Sequence, residues 1–545
     1  MKIQVLSQEA INQIAAGEVI ESPASVVKEL VENSIDAGAT KITIEVRAGG
    51  LALVAVSDDG VGMSKEDALL SIERHATSKI VSAKDLFALH TMGFRGEALA
   101  AIAAISHMTL ITAEEGKAGT QLEIEGGAIK KVQSCARLKG TRIEVRDLFF
   151  NVPARKKFQK SPPALFAEIV RISTLLALSY PEIEFELQNG GKTVFRSGRA
   201  TLQERARSLI GEDFVQAGFS VEEEISSFRL SGLVGDPAQS RPNRLGQYLF
   251  INRRAVVCPA LNFAIREAYG TRLEERRFPS YLLHMTIPPD LVDVNVHPQK
   301  REVRLRDERV FQERVREVVS RALIAPPAPV ISMAPFTPMP VFEPPVFRAQ
   351  ETAAFMPLPF EQEEERVIGL FAHYLILEEE GLLLVDLKAA RFRLAFDKLM
   401  EKETRGVEKQ GLLIPMTVEC NPVEMAMILS HLEAIEALGF SLRPIGKEHL
   451  IVEAIPPFLE FGEIKELLAE SSQALQGLIG KSDAKEKRHE ALALIAARFA
   501  KNGPPFNVEE AVRLFRAVRK RALHCPNGKP IMARMSRDEI KKMFS

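Results

Sequence analysis

Acidic and amide side chains recur at helical spacing near residue 30. Glu29 and Asn33 stand four residues apart, so on a helix both project from one face. Glu32 and Asp36 repeat this spacing on a neighbouring face. A carboxylate and an amide placed in this way can supply a general base and a ligand for a hard cation such as Mg²⁺. A solvated helix face is the alternative that these residues, taken alone, leave open.

Two glycine-containing loops follow. Asp58-Asp59-Gly60-Val61-Gly62 ends an apolar run at 51–56, which places a carboxylate where the backbone can approach a ligand closely. Gly93 and Gly96 precede an apolar helix at 98–105, and a glycine-rich loop before a helix N-terminus offers N–H groups to phosphate. The spacing differs from that of a P-loop. An acidic turn and an ordinary loop-to-helix turn are the alternatives.

The elements that must position these residues can be read from local patterns. Ser22 and Pro23 predict a helix start with a serine cap, and Gly38 predicts its end in the left-handed conformation. Ile42, Ile44 and Val46 alternate with polar residues, as in a half-buried strand. Two further strands are predicted at 51–56 and 142–145. The second of them follows Lys139-Gly140-Thr141.

Composition bounds the class of protein. The 545 residues are 46% hydrophobic and 26% charged, which excludes a wholly disordered or collagen-like chain. The net charge of −1 predicts that any contact with nucleic acid comes from local patches. Four cysteines without CxxC spacing, no secretory signal and no apolar run near the ~18 residues of a membrane helix favour a cytoplasmic protein.

A proline-rich segment divides the chain. Residues 326–360 contain ten prolines, which exclude helices and central strands and predict an extended linker. A docking motif for a partner is the alternative for this segment. The part before it is too long for one core, and a cut near residue 205 is expected. Beyond that cut, strands are predicted at 227–236, 247–257 and 281–287, with a helix at 261–269.

The order of these motifs resembles the GHKL ATPases, which include gyrase, heat-shock chaperone ATPases, histidine kinases and MutL. Longer segments are most similar to the MutL family of DNA mismatch repair proteins, and the resemblance covers nearly all of residues 1–325. The segments are QIAAGEVIESPASVVKELVENSIDAGAT, RHATSKI, GFRGEALAAIAAIS, DLFFNVPARKKF and VDVNVHPQKREVR.

The resemblance implies an α+β and α/β multidomain chain. Its expected parts are a GHKL-type ATPase sandwich at 1–205, a ribosomal-protein-like transducer domain at 206–325, the Pro-rich linker at 326–365 and an α+β dimerisation domain at 366–545. A topoisomerase subunit would need an acidic metal cluster after the linker, and a chaperone would lack the FxNxPAR and VDVNVHP segments.

Residue roles follow from the same resemblance, which implies Mg²⁺-dependent ATP hydrolysis. Glu29 would be the general base, Asn33 would bind Mg²⁺, and Asp58 would accept from the adenine amino group. Lys300 would reach from the second domain to the γ-phosphate as a sensor. The remaining implied nucleotide contacts are Gly62, Thr77, Ser78, Lys79, Gly93, Phe94, Arg95, Gly96, Glu97, Ala98, Leu99 and Thr141.

The implied activity is that of an ATP-switched clamp. The C-terminal domains would form a homodimer, ATP would bring the N-terminal halves together around DNA, and a MutS-type protein would recognise the mismatch. DNA contact would be independent of sequence and strongly dependent on salt. The residues expected to make it are Arg155, Lys156, Arg253, Arg254 and Arg266.

The C-terminal part resembles a decayed nuclease. Many MutL proteins carry endonuclease motifs of the types DQHAxxER, ACR and CPHGRP, which supply metal ligands. Here Asp386 and Cys525 remain, so the nuclease is expected to be lost. The substituted positions are Lys388, Phe392, Ala497, Asn527 and Lys529. A residual or partner-completed metal-dependent nicking activity is the alternative function.

Overall fold

The structure is a computed structural model. It describes residues 20–74, 76–77, 96–225, 228–241, 243–274, 277–293, 304–324, 366–400, 409–459, 461–477, 484–502, 505–519 and 523–542. The chain packs as two compact units. The first contains the described residues of Met1–Pro327 and Lys402–Ala496, and the second those of Ala328–Glu401 and Ala497–Ser545.

An eight-stranded sheet forms the framework of the first unit. Its strand order is β5-β4-β3-β6-β2-β1-β7-β8, and the β1–β7 pair is parallel while the other pairs are antiparallel. The strands are β1 (Lys41–Arg47), β2 (Leu53–Asp58), β3 (His107–Ala113), β4 (Gly119–Glu125), β5 (Ala128–Cys135), β6 (Gly140–Arg146), β7 (Glu184–Asn189) and β8 (Lys192–Ser197). The predicted strands at 51–56 and 142–145 are therefore present, with shifted ends.

Seven helices accompany this sheet in the described residues. They are α1 (Pro23–Asp36), α2 (Lys65–Leu70), α3 (Ala98–Ala104), α4 (Pro153–Lys157), α5 (Pro162–Ser179), α6 (Leu202–Leu209) and α7 (Glu212–Gln216). Helices α1 and α5 pack against each other, and their apolar residues join the inward residues of the sheet in one core. Helix α5 is long and apolar enough to cross a membrane by composition alone, but 61% of it is buried, as in a core helix.

Helix α1 has the predicted ends. It begins at Pro23 with Ser22 as the N-cap residue, although the Ser22 hydroxyl makes no capping hydrogen bond. It ends before Gly38, whose φ of 69° is the left-handed conformation expected there. The Gly38 amide donates to the Ile35 carbonyl at 2.9 Å, and the Ala39 amide to that of Ser34 at 3.1 Å. The terminating turn therefore satisfies two of the last carbonyls of the helix.

A five-stranded sheet follows in the order β12-β11-β13-β10-β9. Its elements are β9 (Phe219–Ile225), β10 (Phe228–Val234), β11 (Gln247–Ile251), β12 (Arg254–Ala255), α8 (Pro259–Tyr269), β13 (Tyr281–Thr286) and, beside the sheet, β14 (Val292–Asp293), β15 (Arg304–Leu305) and α9 (Glu308–Ala322). The expected strand at 247–257 is divided, because Asn252 and Arg253 have positive φ and turn the chain into a hairpin.

The later residues of the first unit form a smaller layer. Strands Gln410–Glu419, Ser441–Ile445 and His449–Ile455 make a three-stranded sheet, with helices Pro422–Ser430, Leu432–Glu436 and Ile464–Gly477. The second unit has a four-stranded sheet of Arg366–Phe371, Tyr374–Glu378, Gly381–Asp386 and Met532–Ser536, with helices Leu387–Met400, Val508–Arg519 and Arg537–Lys542. One further helix, Ala484–Phe499, contains the boundary between the units.

Candidate functional site

The carboxylate of Asp58 lies where three segments of the first unit meet. Its Oδ1 accepts hydrogen bonds from the backbone amides of Gly60 at 3.0 Å and Thr141 at 3.1 Å. Its Oδ2 accepts from the hydroxyl of Ser34 at 2.7 Å. The carboxylate is therefore held in one orientation by a turn, a neighbouring strand and helix α1, and it remains partly exposed.

The neighbouring Asp59 makes a different set of contacts. Asp59 accepts from the backbone amides of Thr40 at 2.7 Å and Lys41 at 2.9 Å, and from the Thr40 hydroxyl. Burial acts to raise its pKa, but the hydrogen bonds from Thr40 and Lys41 outweigh it and leave the pKa below the usual value. Asp59 thus joins the turn to the start of β1, whereas Asp58 contacts helix α1 and strand β6.

Gly62 and Gly140 lie where the backbone segments around Asp58 approach each other closely. Gly62 has a φ of 72°, and a Cβ there would lie 2.0 Å from the Ala113 carbonyl oxygen. Gly140 has a φ of 110°, and a Cβ there would lie 2.2 Å from the Asp58 carbonyl oxygen. A side chain at Gly140 would push apart the strands that carry Asp58 and Thr141, and one at Gly62 would push the turn after Asp58 away from β3. The two glycines therefore allow close backbone packing around Asp58.

Thr141 is tied into the wall by its side chain. Its hydroxyl lies 3.0 Å from that of Thr112, which in turn accepts from the Met63 amide at 2.9 Å. The Thr112 and Thr141 residues are buried, and the expected neighbours Gly62 and Thr141 are therefore linked through strand β3.

Helix α1, whose Ser34 holds this carboxylate, also carries Glu29 and Asn33. Its apolar face is buried, while Glu29 and Asn33 are partly exposed on the predicted common face. Among the residues that the structure describes, no side chain pairs with the Glu29 carboxylate. On the neighbouring face, Glu32 is 8% exposed and forms an ion pair with Lys28 at 3.7 Å. Carboxylate and amide oxygens of this kind suit a hard cation such as Mg²⁺.

Two residues that contact Asp58 were not predicted from the sequence. One is Ser34, which holds Asp58 as described. The other is Arg137, whose Nε donates to the Gly140 carbonyl at 3.1 Å and whose Nη2 donates to the Asp58 carbonyl at 3.4 Å. Burial lowers the pKa of Arg137, and the Asp58 charge acts in the opposite direction. The serine beside Asn33 was an available signal, whereas nothing around Arg137 marks it.

The structure describes only some of the residues that are predicted to hold the phosphates. Gly96 has a φ of 60°, and a Cβ there would lie 2.5 Å from the Ala76 carbonyl oxygen, so the residue next to Thr77 lies against this loop. The remaining described members, Glu97, Ala98 and Leu99, are at the start of α3. The predicted residues that lie outside the described ones are Ser78, Lys79, Gly93, Phe94, Arg95 and Lys300. Strands β14 and β15, which flank the Lys300 segment, pair antiparallel.

The predicted DNA-contacting residues differ in their surroundings. The Arg155 Nη1 donates to the Ile20 carbonyl at 3.0 Å, while Lys156 is exposed. Arg253 forms an ion pair with Glu182 and lies 5.1 Å from the centre of the Tyr180 ring. The remaining two are Arg254, which is partly exposed, and Arg266, which is exposed and lies 5.5 Å from the Phe278 ring centre.

In the second unit the three degenerate motifs come together around Lys501. Its Nζ lies 4.2 Å from the centre of the Phe392 ring. Burial lowers the pKa of Lys501, Cys525 and Asp386 act to raise it, and Arg498 and Lys529 act to lower it. An ammonium group thus lies among the remnants of all three motifs. Among the described residues, no three His, Cys, Asp or Glu side chains form a metal-binding group.

Comparison with known proteins agrees with this arrangement. Residues 20–150 match the family described as histidine kinase-, DNA gyrase B- and HSP90-like ATPase. Residues 206–324 match the DNA mismatch repair protein C-terminal domain, and residues 368–502 the MutL C-terminal dimerisation domain. The fold and site therefore define a nucleotide-binding ATPase of the gyrase, HSP90 and histidine-kinase class.

Relatives that match this chain along its whole length identify the family within this class. The chain is 37% identical to the DNA mismatch repair protein MutL of Geotalea daltonii over 100% of this chain and 99% of that protein. It is 32% identical to MutL of a Thermoanaerobacter species over the same shares. The chain belongs to the MutL family of DNA mismatch repair proteins, with an ATPase domain and a C-terminal dimerisation domain.

Two solved structures are similar to part of this chain. A crystal structure of the N-terminal domain of a DNA repair protein is 27% identical, has a TM-score of 0.50, and covers 57% of this chain and 97% of that one. The Aquifex aeolicus MutL ATPase domain complexed with ADP is 29% identical, with a TM-score of 0.40, and covers 56% of this chain and 98% of that one.

Proposed function

We propose that this protein is an ATP-switched dimeric clamp that couples mismatch recognition to processing of the DNA strand. Membership of the MutL family and its two kinds of domain support the proposal. The observation that carries it is the Asp58 carboxylate held by Thr141 and by Ser34 of helix α1, the helix that also carries Glu29 and Asn33. ATP would order the segments around the site, bring two N-terminal halves together, and release them after hydrolysis.

Adenine recognition is assigned to Asp58. With both oxygens already oriented by Ser34, Gly60 and Thr141, the carboxylate keeps lone pairs for one further donor. The amino group of adenine is such a donor, whereas guanine presents a carbonyl oxygen at the same position. Gly62 and Thr141 would line the faces of the base, because the Thr141 amide contacts the Asp58 carboxylate and Gly62 packs against Ala113 in the adjoining strand β3.

Catalysis is assigned to helix α1. Glu29 would orient the attacking water and take its proton, and its carboxylate has no partner in the described chain that would block this task. Asn33 would hold Mg²⁺, which when bound neutralises phosphate charge. Thr77, Gly96, Glu97, Ala98 and Leu99 would surround the phosphates. The prediction extends to residues outside the described ones, Ser78, Lys79, Gly93, Phe94, Arg95 and Lys300.

The remaining partners are proposals of the same kind. The dimerisation domain supports a homodimer, and we expect a second, ATP-dependent contact between N-terminal halves. DNA would pass through the closed dimer and meet Arg155, Lys156, Arg253, Arg254 and Arg266 without regard to sequence. A MutS-type protein would recognise the mismatch, in a cytoplasmic setting. The domain limits at 205, 325 and 365 stay predictions.

Substitution of Glu29 tests the proposed function directly. Glu29→Ala is expected to bind ATP with the affinity of the parent and to lose turnover by at least about a hundredfold, since general-base catalysis contributes roughly 10²–10⁴ in rate. Glu73→Ala, which removes an exposed carboxylate elsewhere in the same domain, is the control and should retain turnover. Hydrolysis at the parent rate by Glu29→Ala would show that another residue is the base.

We further propose that the nuclease has been lost. The Lys501 ammonium lies among residues of the three motifs that supply metal ligands in MutL nucleases. Its positive charge would repel a metal ion at that place. The experiment is a nicking assay on supercoiled DNA with Mn²⁺, comparing the parent with Asp386→Ala. We expect neither protein to nick. Robust nicking that disappears in Asp386→Ala would instead support the alternative of a residual nuclease.

A further inference from the structure

One helix from the later part of the chain is buried against the N-terminal half. This docking helix, Pro422–Ser430, packs against α5. Its side chains Val423, Ala426 and Met427 are between 3% and 8% exposed and belong to the same apolar core as α1 and the first sheet. In the structure its apolar residues are buried within the chain.

Two ion pairs flank the docking helix. Arg241 pairs with Glu424, the third residue of that helix, and Arg277 pairs with Glu466. The partners are 183 and 189 residues apart in sequence. Burial acts to lower the pKa of Arg241, but Glu424, Tyr248 and Cys420 together raise the pKa of the guanidinium above its usual value. The charges on the two surfaces are therefore complementary at two separate points.

Contacts within the N-terminal half also hold the two arginines. The backbone of Arg241 exchanges hydrogen bonds of 2.8 and 2.7 Å with that of Phe278, the neighbour of Arg277. The Arg277 guanidinium also donates from Nε to the Ser240 hydroxyl at 3.0 Å. The guanidinium groups of Arg241 and Arg277 are thus held at a defined spacing, at which they bind the carboxylates of Glu424 and Glu466.

The acidic residues are fixed as well. Glu424 accepts from the Asn421 amide at 3.2 Å, and the Asn421 side chain accepts from the Glu424 amide at 2.9 Å, which is a capping box. Glu466 lies in the first turn of helix Ile464–Gly477, which packs against the docking helix. Each acidic residue is therefore presented by the start of a helix, and the two helices form one body.

The contact leaves room for solvent. Three apolar side chains of the docking helix and the two ion pairs join the surfaces on either side of that space. A cavity of about 610 Å³ lies beside the pairs and is lined from both surfaces, by Arg207 and Ser240 on one side and Asn421 and Glu448 on the other. Partly exposed ion pairs next to solvent are weakened by salt.

We infer that residues 410–468 are a docking module that closes reversibly onto the N-terminal half of the same chain. Its receptor is the side of α5 that packs against the docking helix, together with Arg241 and Arg277. The sequence predicts a proline-rich linker before this module, and attachment within one chain gives a high effective concentration, which favours closure. Salt opens the contact by weakening the two ion pairs. The inference does not depend on the assignment of Glu29 or Asp58.

A cross-link tests whether the module docks within one chain. Carbodiimide joins lysine to a carboxylate, so Arg277→Lys is expected to yield a 277–466 cross-linked peptide that is absent from the control Arg277→Lys/Glu466→Gln. On a denaturing gel the linked protein should run at the mass of one chain. A product of doubled mass would assign the docking to a second copy, and absence of any link in folded Arg277→Lys would overturn the inference.

Charge reversal tests the reversibility. In the absence of nucleotide, Arg277→Glu should raise amide hydrogen exchange in Pro422–Ser430 about tenfold or more, and Arg277→Glu/Glu466→Arg should return it to the parent value. The controls Arg244→Glu and Glu433→Arg reverse exposed charges nearby and should leave it unchanged. For the parent, exchange should rise between 50 and 500 mM NaCl, because the Debye length becomes roughly threefold shorter over that range and the ion pairs are screened. Equal exchange in all variants would refute a docking equilibrium.

Discussion

The hydroxyl of Ser34 and the carboxylate of Asp58 are joined by a hydrogen bond of 2.7 Å. Ser34 belongs to α1, which carries Glu29 and Asn33, whereas Asp58 ends strand β2. The proposed adenine-binding carboxylate and the proposed catalytic helix are therefore one hydrogen-bonded unit. A displacement of either element changes the position of the other.

Removal of this hydroxyl is expected to weaken ATP binding. In Ser34→Ala the Asp58 carboxylate loses a donor, and a hydrogen bond to a charged group contributes about 1.5–3 kcal/mol. We expect the Kd for ATP to rise by roughly tenfold or more, with kcat little changed, as measured by nucleotide titration and steady-state hydrolysis. Ser71→Ala removes a hydroxyl bonded to the Ala68 carbonyl and serves as the control. Unchanged affinity in Ser34→Ala would separate Ser34 from recognition.

Reversal of one exposed arginine tests the proposed DNA surface. Arg266 has only the Phe278 ring as a close partner among the contacts described, so its charge remains available to phosphate. Arg266→Glu is expected to lower DNA affinity and to reduce the slope of log K against log salt by about 1. Arg253→Glu should have a smaller effect, because Glu182 already pairs with Arg253. An unchanged salt slope for Arg266→Glu would exclude that residue.

A buried arginine joins four backbone segments of the ATPase core. Arg205 is fully buried, and its guanidinium donates to the carbonyls of Ala177, Pro181, Ile183 and Gly198 at 2.7–3.0 Å. Burial lowers its pKa to about 10. Arg205→Met leaves these carbonyls without donors, so we expect a loss of about 3–5 kcal/mol in the free energy of unfolding.

The matched variant for Arg205 lies on the same helix. Arg207 pairs with Glu212 at the surface, and surface pairs contribute about 0–1 kcal/mol, so Arg207→Met should be nearly neutral. Urea unfolding of both variants beside the parent measures the difference. Equal midpoints for the two variants would contradict a structural role of the buried guanidinium.

A buried histidine predicts loss of stability in acid. His284 stacks on Phe250 at 4.6 Å, and burial lowers its pKa to about 4, with a further decrease from Arg253. The unfolded chain binds a proton near pH 6.5 and the folded chain does not, so stability is complete above pH 6.5 and falls as pH decreases towards 4. The full loss is about 3 kcal/mol, from 1.36 kcal/mol per pKa unit.

Replacement of the ring isolates this effect. His284→Phe retains an aromatic ring against Phe250 and cannot be protonated, so its melting temperature should fall less than that of the parent between pH 7.5 and pH 5. His449→Gln removes an exposed histidine and should follow the parent. Identical pH dependence of His284→Phe and the parent would assign the acid sensitivity to other groups.

Local elements around the site could be predicted because their signals are local. Helix α1 begins at Pro23 and ends before Gly38, and the alternation of Ile42, Ile44 and Val46 matches buried positions of β1. Proline restricts φ, glycine permits positive φ, and a strand alternates its side chains. Errors arose where two local signals compete, as in the hairpin at Asn252 and Arg253 that divides the expected strand.

Contacts between distant residues could not be predicted in this way. The Ser34–Asp58 pair spans 24 residues, the Arg137–Asp58 contact 79, and the Arg241–Glu424 pair 183. A polar residue gives the same local pattern whether it faces solvent or a buried partner, so burial and partners depend on the packing of whole elements. For that reason Arg137 and Arg205 were not distinguished from surface arginines.

The sequence by itself determined the class of the protein, because a nucleotide site needs particular residue types at fixed spacing and those survive as motifs. It placed Glu29 and Asn33 on one helix face and Asp58 before two glycines. Only the tertiary structure decided which aspartate faces the site, since Asp59 is used to fasten Thr40 while Asp58 is held by Ser34 and Thr141. It also decided that the docking helix is buried within the chain, because that burial depends on a surface made by residues far away in sequence.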